Sequence, residues 1–230
     1  MMVSLASSWS KYFLTRLGAF LSARAIYSLN ASISYLELGR WMRVKGLDTS
    51  RRFSRREELF DLVGEQVRDR EVLYLEFGVF QGAATRYWSR LLLNPKSKLH
   101  GFDSFEGLPE NWLPQRQKGH FATDGETPKI DDNRVNFFKG WFDQTLRTYQ
   151  CPPHEVLVIN LDADLYSSTI CVLNALKNEI VPGTYIYFDE FNHRDHELRA
   201  FDEFINETGM KFSLLGATRT MQHVVFRRDG

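Results

Sequence analysis

The stretch that decides the fold reads Val72-Leu73-Tyr74-Leu75-Glu76-Phe77-Gly78-Val79-Phe80-Gln81-Gly82. Its first four residues are a short, continuous apolar run, which is typical of a strand buried on both faces of a parallel sheet. The two glycines permit a tight turn, and residues 83–88 then open a predicted helix. A strand, a glycine turn and a helix N-terminus together form a site for part of a nucleotide.

A second part of the same site is expected after the next apolar run, at 99–102. Asp103 follows that run, 21 positions after Gly82 (103 − 82). An acid near this spacing contacts ribose hydroxyls in nucleotide-binding folds. Asp103 is therefore the predicted ribose contact.

Composition bounds the class of protein. The 230 residues suit one domain with an appendage, and 43% of them are hydrophobic, enough for a sizeable core. The net charge is +0, so charge favours no nucleic-acid partner. Cys151 and Cys171 have no disulfide or zinc spacing, which predicts reduced thiols in a cytoplasmic protein. No apolar stretch reaches the ~18 residues that a spanning helix needs.

Residues 1–70 are predicted to form a helical extension, and residues 71–230 the main domain. No acid precedes Glu37, and apolar residues recur at roughly helical spacing among Lys11, Arg16 and Arg24. This pattern has two interpretations: a membrane-surface or targeting helix, or a helix that packs on the domain or on a second subunit. The second interpretation is favoured, and with it a homo-oligomer.

From residue 72 onward strands and helices alternate, which indicates a parallel sheet. Strands are predicted near 72–77, 98–103, 134–139, 156–162, 184–190, 211–216 and 222–228. Helices are predicted near 83–93, 142–149, 166–180 and 195–208. The last two strands are joined by a hairpin, so we expect an α/β, Rossmann-like fold whose seven-stranded, mostly parallel sheet has an antiparallel edge strand. The long irregular stretch 104–133 is predicted to be a lid or binding loop, or else a surface loop held by its aromatic residues.

Two further acidic groups follow apolar runs of predicted strands. Asp162 and Asp164 come after 156–161, and Asp189 and Glu190 after 184–188. Carboxylates gathered on one rim of a sheet are costly without a cation between them, and oxygen ligands of this kind suit Mg²⁺. The alternative interpretation is a helix N-cap for the first pair and solvated charge for the second.

The glycine turn lacks the third glycine of the dinucleotide fingerprint G-x-G-x-x-G. Glu76 at the strand end would also repel a pyrophosphate. A cofactor with a cationic end and a ribose fits better, and S-adenosylmethionine has both.

Four motifs, taken together, resemble the macrocin O-methyltransferase (TylF/MycF-like) family over roughly residues 70–216. They are Glu76-x-Gly78-x-x-x-Gly82, Gly101-Phe102-Asp103-Ser104-Phe105-Glu106-Gly107-Leu108-Pro109, Leu161-Asp162-Ala163-Asp164-Leu165-Tyr166-Ser167-Ser168-Thr169 and Phe188-Asp189-Glu190-Phe191. The resemblance implies a class I methyltransferase fold, S-adenosylmethionine as methyl donor and Mg²⁺ dependence. It also implies methylation of a sugar hydroxyl on a natural-product glycoside or polysaccharide.

The resemblance also assigns site residues. The implied cofactor contacts are Glu76, Gly78 and Gly82 at the methionine end, Asp103 and Ser104 at the ribose, and Gly140 and Trp141 near the adenine. The implied metal ligands are Asp162, Asp189 and Glu190. Glu190 departs from the commoner second Asp, and Leu165 stands where catechol-type relatives have a lysine base.

The proton acceptor is predicted to be Asp162 or His193, with His120 and His196 as further candidates. Methyl transfer from a sulfonium mainly requires that the acceptor oxygen be positioned and deprotonated. Three alternatives stay open: a vicinal-diol or phenolic acceptor, a nucleotide-binding oxidoreductase, and a non-catalytic module with the same fold.

Overall fold

The structure is a computed structural model that describes residues 8–47, 51–113 and 115–230. Residues 1–7 and 48–50 of the predicted helical extension, and one position of the predicted lid, lie outside the described residues. The chain divides into two compact units between Lys45 and Gly46. Each unit is described separately.

The N-terminal unit consists of two helices, α1 (Ser8–Gly18) and α2 (Ala23–Val44). The hydroxyl of Ser22 caps α2 by accepting a hydrogen bond from the Ala25 N–H at 3.2 Å. Large apolar side chains are exposed on both helices, among them Trp9 of α1 at 81% and Leu36 of α2 at 75%. Membrane-surface contact and self-association both stay predictions for this surface.

None of the helices formed by residues 8–47, 51–113 and 115–230 combines the length and the apolar character that a bilayer span requires.

The second unit alternates strands and helices, as the sequence predicts. Its strands are β1 (Arg52–Phe53), β2 (Val72–Phe77), β3 (Lys98–Asp103), β4 (Val135–Lys139), β5 (Val156–Leu161), β6 (Tyr185–Phe188), β7 (Phe212–Thr218) and β8 (Val224–Arg228). Its helices are α3 (Glu57–Val67), α4 (Ala83–Leu91), α5 (Phe142–Thr145), α6 (Tyr166–Leu176) and α7 (Glu197–Thr208).

All eight strands form one sheet in the order β1-β7-β8-β6-β5-β2-β3-β4. β8 runs antiparallel to both β6 and β7, and the other pairs are parallel. The predicted α/β, Rossmann-like fold class is confirmed. The described residues form eight strands rather than the predicted seven, because the two residues of β1 pair with Ala217 and Thr218 of β7.

The predicted division after residue 70 differs from the observed one after Lys45. The reason is that β1 and α3 are built into the second unit. Leu59, Phe60 and Val63 of α3 are buried in the same hydrophobic cluster as the sheet residues Tyr74 and Val158. Burying three large apolar side chains stabilises this packing by several kcal/mol, since each contributes about 1.5–3 kcal/mol.

The core lies around β2 and β5, in which every residue is buried. These neighbouring strands pair in parallel, with Glu76 opposite Asn160. From them the chain extends in opposite directions, to β3 and β4 on one side and to β6 on the other. Sheets of this kind bind ligands at the carboxyl ends of the strands where the order reverses. The fold therefore places a binding crevice at the ends of β2 and β5.

Candidate active site

A cavity of 740 Å³ opens at the carboxyl ends of β2, β3, β5 and β6. This volume is typical of a site for a cofactor or a drug-sized ligand. The predicted site residues found in its wall are Glu76, Gly78, Asp103, Ser104, Trp141, Asp162, Asp189 and Glu190. The other three predicted site residues are close in sequence to lining residues but do not line the cavity themselves: Gly82, Gly140 and His193.

The glycine turn brings β2 and β5 into close contact. Gly78 has φ +93°, and a side chain there would overlap the carbonyl oxygen of Asp162. The main chain of Asp162 also donates a hydrogen bond to the Phe77 carbonyl at 2.9 Å. Gly82 has φ +74° and precedes α4 in the left-handed region, which favours glycine. The turn thus requires glycine at Gly78 for space and at Gly82 for conformation.

Glu76, the penultimate residue of β2, has a buried carboxyl group and is 1% exposed. Its Oε2 accepts hydrogen bonds from Tyr74 Oη at 3.0 Å and from Thr85 Oγ1 at 2.7 Å. Burial raises the pKa of Glu76 to about 7, although both hydrogen bonds and the Arg56 charge act to lower it. A cationic ligand group in the cavity would stabilise the carboxylate form.

Asp103 has a structural role that its spacing alone does not predict. Its Oδ2 accepts the N–H groups of Val79 and Phe80, both at 2.8 Å, and its Oδ1 accepts the N–H of Phe105 at 2.7 Å. The carboxylate therefore holds both the glycine turn and the start of the loop after β3. A carboxylate has about four acceptor positions, so one is left for a ribose hydroxyl.

The remaining predicted cofactor contacts, Ser104, Gly140 and Trp141, contribute to the site in different ways. Ser104 is buried, and its hydroxyl accepts the Glu106 N–H at 3.1 Å and donates to the Gly107 carbonyl at 3.3 Å. Trp141 precedes α5 and lines the cavity together with Phe142. Gly140 supplies the turn before them with φ +145°. These positions leave an aromatic wall where the adenine contact is predicted.

The carboxylates of Asp162 and Asp189 meet at the ends of β5 and β6, and Arg56 lies between them. Its Nη1 is 3.2 Å from Asp189 Oδ1 and 3.6 Å from Asp162 Oδ2. Asp189 Oδ1 also accepts Tyr187 Oη at 2.8 Å and lies 3.0 Å from His223 Nδ1. These partners outweigh burial and lower the pKa of Asp189.

The ionised form of Asp162 is less well stabilised than that of Asp189. Burial, followed by the charges of Asp189 and Asp164, raises its pKa well above the usual range, and Arg56 only partly opposes them. The pair is therefore expected to hold one negative charge on Asp189 and a proton on Asp162 when no further cation is present.

Asp164 and Glu190 add two more acids to the wall. Asp164 is 7% exposed and has φ +59°, and burial together with the Glu190 charge raises its pKa to about 8. Glu190 Oε1 accepts a hydrogen bond from Gln222 Nε2 at 3.1 Å and lies 3.7 Å from Arg116 Nη1. Burial and the Asp189 charge still raise the pKa of Glu190.

His193, a predicted proton acceptor, packs beside this wall rather than in it. Its Nε2 is 3.8 Å from Glu190 Oε2, and its ring lies 5.6 Å from that of Trp112. Burial and the neighbouring charges of His196 and Arg116 lower its pKa, so the neutral form is favoured. A neutral histidine can accept a proton, but His193 does not line the cavity.

Part of the stretch predicted to be a lid or binding loop, residues 104–133, lines the cavity and is held by polar and aromatic contacts. Arg116 stacks over the rings of Trp112 at 4.5 Å and Phe121 at 5.5 Å. Leu108, Trp112 and Leu165 form a small buried cluster between this loop and the start of α6. Glu110 accepts a hydrogen bond from Ser167 Oγ at 2.6 Å. These contacts place part of the loop against the cavity.

The sequence-based prediction lacks the residues that contact the carboxyl groups of Asp189 or Glu190 from elsewhere in the chain: Arg56, Arg116, Tyr187, Gln222 and His223. Arg56 lies in a stretch of mixed charge and Arg116 in a polar, basic stretch, and both patterns are typical of solvated surface. Tyr187 is two positions before Asp189, so the period of a strand places both on one face, and this signal could have identified it.

Mg²⁺ ligands were predicted at Asp162, Asp189 and Glu190. Among the described residues, no group of three or more His, Cys, Asp or Glu side chains is arranged as a metal site. The carboxylates point to the same cavity wall, but Arg56 and Arg116 already contact them.

Comparisons with known proteins agree with the motifs. Residues 124–227 match the family model described as Macrocin-O-methyltransferase (TylF). The 8-demethyl-8-(2,3-dimethoxy-alpha-L-rhamnosyl)-tetracenomycin-C 4'-O-methyltransferase of Streptomyces olivaceus is 28% identical over 51% of this chain and 52% of its own length. The demethyldecarbamoylnovobiocin O-methyltransferase of Streptomyces niveus is 28% identical over 39% of this chain and 40% of its own length. The chain spans about half the length of the curated relatives it matches.

Solved structures give the same fold. The structure of the O-methyltransferase NovP superposes with a TM-score of 0.58 at 23% identity and covers 76% of this chain and 78% of that chain. That likeness concerns the fold and agrees with the predicted class I methyltransferase architecture. The resemblance inferred from the motifs is confirmed: residues 124–227 of this chain match the macrocin-O-methyltransferase (TylF) family.

Proposed function

We propose that this protein is an S-adenosylmethionine-dependent, Mg²⁺-dependent O-methyltransferase that acts on a sugar hydroxyl of a natural-product glycoside or a polysaccharide. The observation that carries the proposal is one cavity that joins the Glu76–Gly82 turn to the carboxylates at the ends of β5 and β6. The family match supports methyl transfer to oxygen. The rhamnosyl group in the name of the Streptomyces olivaceus relative supports a sugar acceptor.

The residues present fit S-adenosylmethionine. Glu76 is a buried acid that gains from a cationic partner, and Asp103 keeps one acceptor position for a ribose hydroxyl. Trp141 and Phe142 offer apolar rings to the adenine. When bound, this cofactor supplies a methyl group on a sulfonium, whose departing thioether is a neutral leaving group.

The donor set fits Mg²⁺ in ligand type and in charge. Asp162, Asp189 and Glu190 would hold it, and carboxylate oxygens are its preferred protein ligands. Burial raises the pKa values of Asp162 and Glu190, so both gain from additional positive charge. When bound, Mg²⁺ would lower the pKa of the acceptor hydroxyls and orient them.

The chain's own residues supply proton transfer and exclusion of water. Asp162 lies on the cavity wall beside the turn, and its carboxylate, when ionised, can accept the proton of the acceptor hydroxyl. His193 is the alternative acceptor, neutral but behind Glu190. The loop 104–133 contributes Leu108 and Phe121 to the cavity wall, and these apolar side chains would help to exclude water from the acceptor oxygen.

The test is methyl transfer from S-[methyl-³H]adenosylmethionine to rhamnosylated and other glycosylated acceptors, with permethylated glycosides as the matched control. We expect labelled product only from acceptors with a free hydroxyl, and loss of transfer in EDTA that Mg²⁺ restores. Transfer to catechols but not to sugars would favour the phenolic alternative. Cofactor binding without any transfer would favour the non-catalytic module.

Cofactor affinity is expected to rise with pH through about 7. Burial raises the pKa of Glu76 to about 7, so its carboxyl is mostly protonated at pH 6 and mostly ionised at pH 8. A cationic amino group of the cofactor binds the ionised form. S-adenosylhomocysteine should therefore bind about tenfold more tightly at pH 8 than at pH 6, as measured by calorimetry.

Two controls separate Glu76 from other titrating groups. Glu76→Gln should bind S-adenosylhomocysteine weakly and without this pH dependence. 5'-Methylthioadenosine, which lacks the amino acid part, should bind wild type equally at both values. A full pH dependence in Glu76→Gln would assign it to another residue.

A further inference from the structure

We propose that Arg56 binds the α-carboxylate of the cofactor's methionine part, opposite the acid Glu76 that takes its ammonium group. This assignment rests on the proposed function and adds a cofactor-positioning residue that the motifs do not contain.

Arg56 is placed beside the turn where the methionine end is expected. Its guanidinium is 3.6 Å from Asp162 Oδ2, and the main chain of Asp162 contacts Gly78 directly. Arg56, Glu76 and Gly78 all line the same cavity. One residue therefore separates the guanidinium from the glycine turn.

The charge of the cavity wall makes a cation necessary at this end. Seven acidic side chains among the described residues line the wall, and those that are ionised repel a further carboxylate: Glu76, Asp103, Asp143, Asp162, Asp164, Asp189 and Glu190. Among the described lining residues, positive charge comes from Arg56 and Arg116. A ligand carboxylate would be repelled by this wall unless an arginine faced it.

Of the two arginines, Arg56 is the one at the methionine end. Arg116 belongs to the loop 104–133, where it stacks on Trp112 and lies 3.7 Å from Glu190. Arg56, in contrast, acts electrostatically on Glu76 and lowers its pKa. A guanidinium also presents the fork of N–H donors that pairs with both oxygens of a carboxylate.

Arg56 can exchange its contacts with Asp162 and Asp189 for a contact with a ligand carboxylate. Its contacts with Asp162 and Asp189, at 3.6 and 3.2 Å, are longer than the ~2.7–2.9 Å of strong charged hydrogen bonds. If the guanidinium turns toward a ligand, Asp189 Oδ1 keeps Tyr187 Oη at 2.8 Å and His223 Nδ1 at 3.0 Å. Asp189 is therefore not left unpaired by the movement.

The test compares two ligands that differ only in the carboxylate, S-adenosylmethionine and its decarboxylated form, by calorimetry in EDTA without acceptor. We expect wild type to bind S-adenosylmethionine about 30-fold more tightly than the decarboxylated ligand, in line with a charged hydrogen-bonded pair. Arg56→Gln should lose that preference by weakening S-adenosylmethionine alone. Arg56→Lys, which keeps the charge without the fork, should retain part of it. Arg55→Gln, a neighbouring exposed arginine, is the matched control and should behave as wild type.

Several outcomes overturn the assignment. Arg56→Gln could weaken both ligands equally, or neither, which leaves the methyltransferase proposal standing. Wild type could instead bind neither ligand, in which case the proposed function fails as well. If Arg56→Gln does not fold, an unchanged ligand preference in Arg56→Lys relative to wild type would decide against a bidentate contact.

Discussion

Asp162→Asn is expected to lower kcat/KM for methyl transfer about a thousandfold, within the 10²–10⁴ range that general acid–base catalysis contributes. Asn has nearly the same shape but can neither accept the proton nor carry the charge. The fold should not suffer, because burial and the charges of Asp189 and Asp164 already disfavour the ionised form of Asp162. Initial rates with tritiated cofactor measure the loss, and S-adenosylhomocysteine affinity should stay within about threefold of wild type.

The matched control for this variant is Asp131→Asn, which removes an exposed carboxylate outside the cavity wall. It should keep wild-type rates. Activity of Asp162→Asn within tenfold of wild type would exclude Asp162 as the proton acceptor and direct attention to His193. A loss of cofactor binding as large as the loss of rate would assign Asp162 to the cofactor instead.

The strands that position the site could be predicted closely from the sequence, because they are buried on both faces. β2 and β3 begin and end as predicted: β2 starts with the apolar run 72–75, and in β3 the buried residues 99–102 are flanked by Lys98 and Asp103. β1 could not be predicted, because two residues carry no periodicity and its partner β7 is about 165 positions away in the chain. Helix α5 ends at Thr145, four residues before the predicted end.

The residues of the site were predictable where a motif marks them and not where tertiary contacts create them. Asp103 was expected to contact a ribose, yet the structure adds its bonds to the N–H groups of Val79 and Phe80, because backbone donors leave no trace in sequence. Arg56 lies in a run of charged residues that resembles a solvent-exposed linker. Its approach to Asp189, 133 positions later, depends on how α3 packs on the sheet.

These two cases share a physical cause. Local periodicity reports which side chains are buried, whereas the pairing of charges depends on which strand ends become neighbours. Asp162 and Asp189 could be placed on one rim because both follow parallel strands. Their cationic partner Arg56 precedes a helix, and no pattern of spacing connects it to them.

Gly78→Ala is expected to destabilise the second unit by about 4 kcal/mol, which combines strain at a positive φ with overpacking. The methyl group would overlap the carbonyl oxygen of Asp162, which is main chain at the end of β5 and cannot turn away as a side chain does. For a chain of this size the midpoint of thermal unfolding should fall by about 8–16 °C. Any folded fraction should bind S-adenosylhomocysteine poorly, because relieving the overlap separates the turn from Asp162.

Gly183→Ala separates the two causes. Gly183 has φ +94°, nearly the +93° of Gly78, but a side chain there would meet nothing within 4 Å. It should therefore show backbone strain alone, about 1–2 kcal/mol, and keep wild-type cofactor affinity. The difference between the two variants measures the close approach of the turn to β5. Equal losses of stability in Gly78→Ala and Gly183→Ala would mean that the turn can move away from Asp162. The close approach of Gly78 to the Asp162 carbonyl would then not be what positions Asp162 at the methionine end of the cavity.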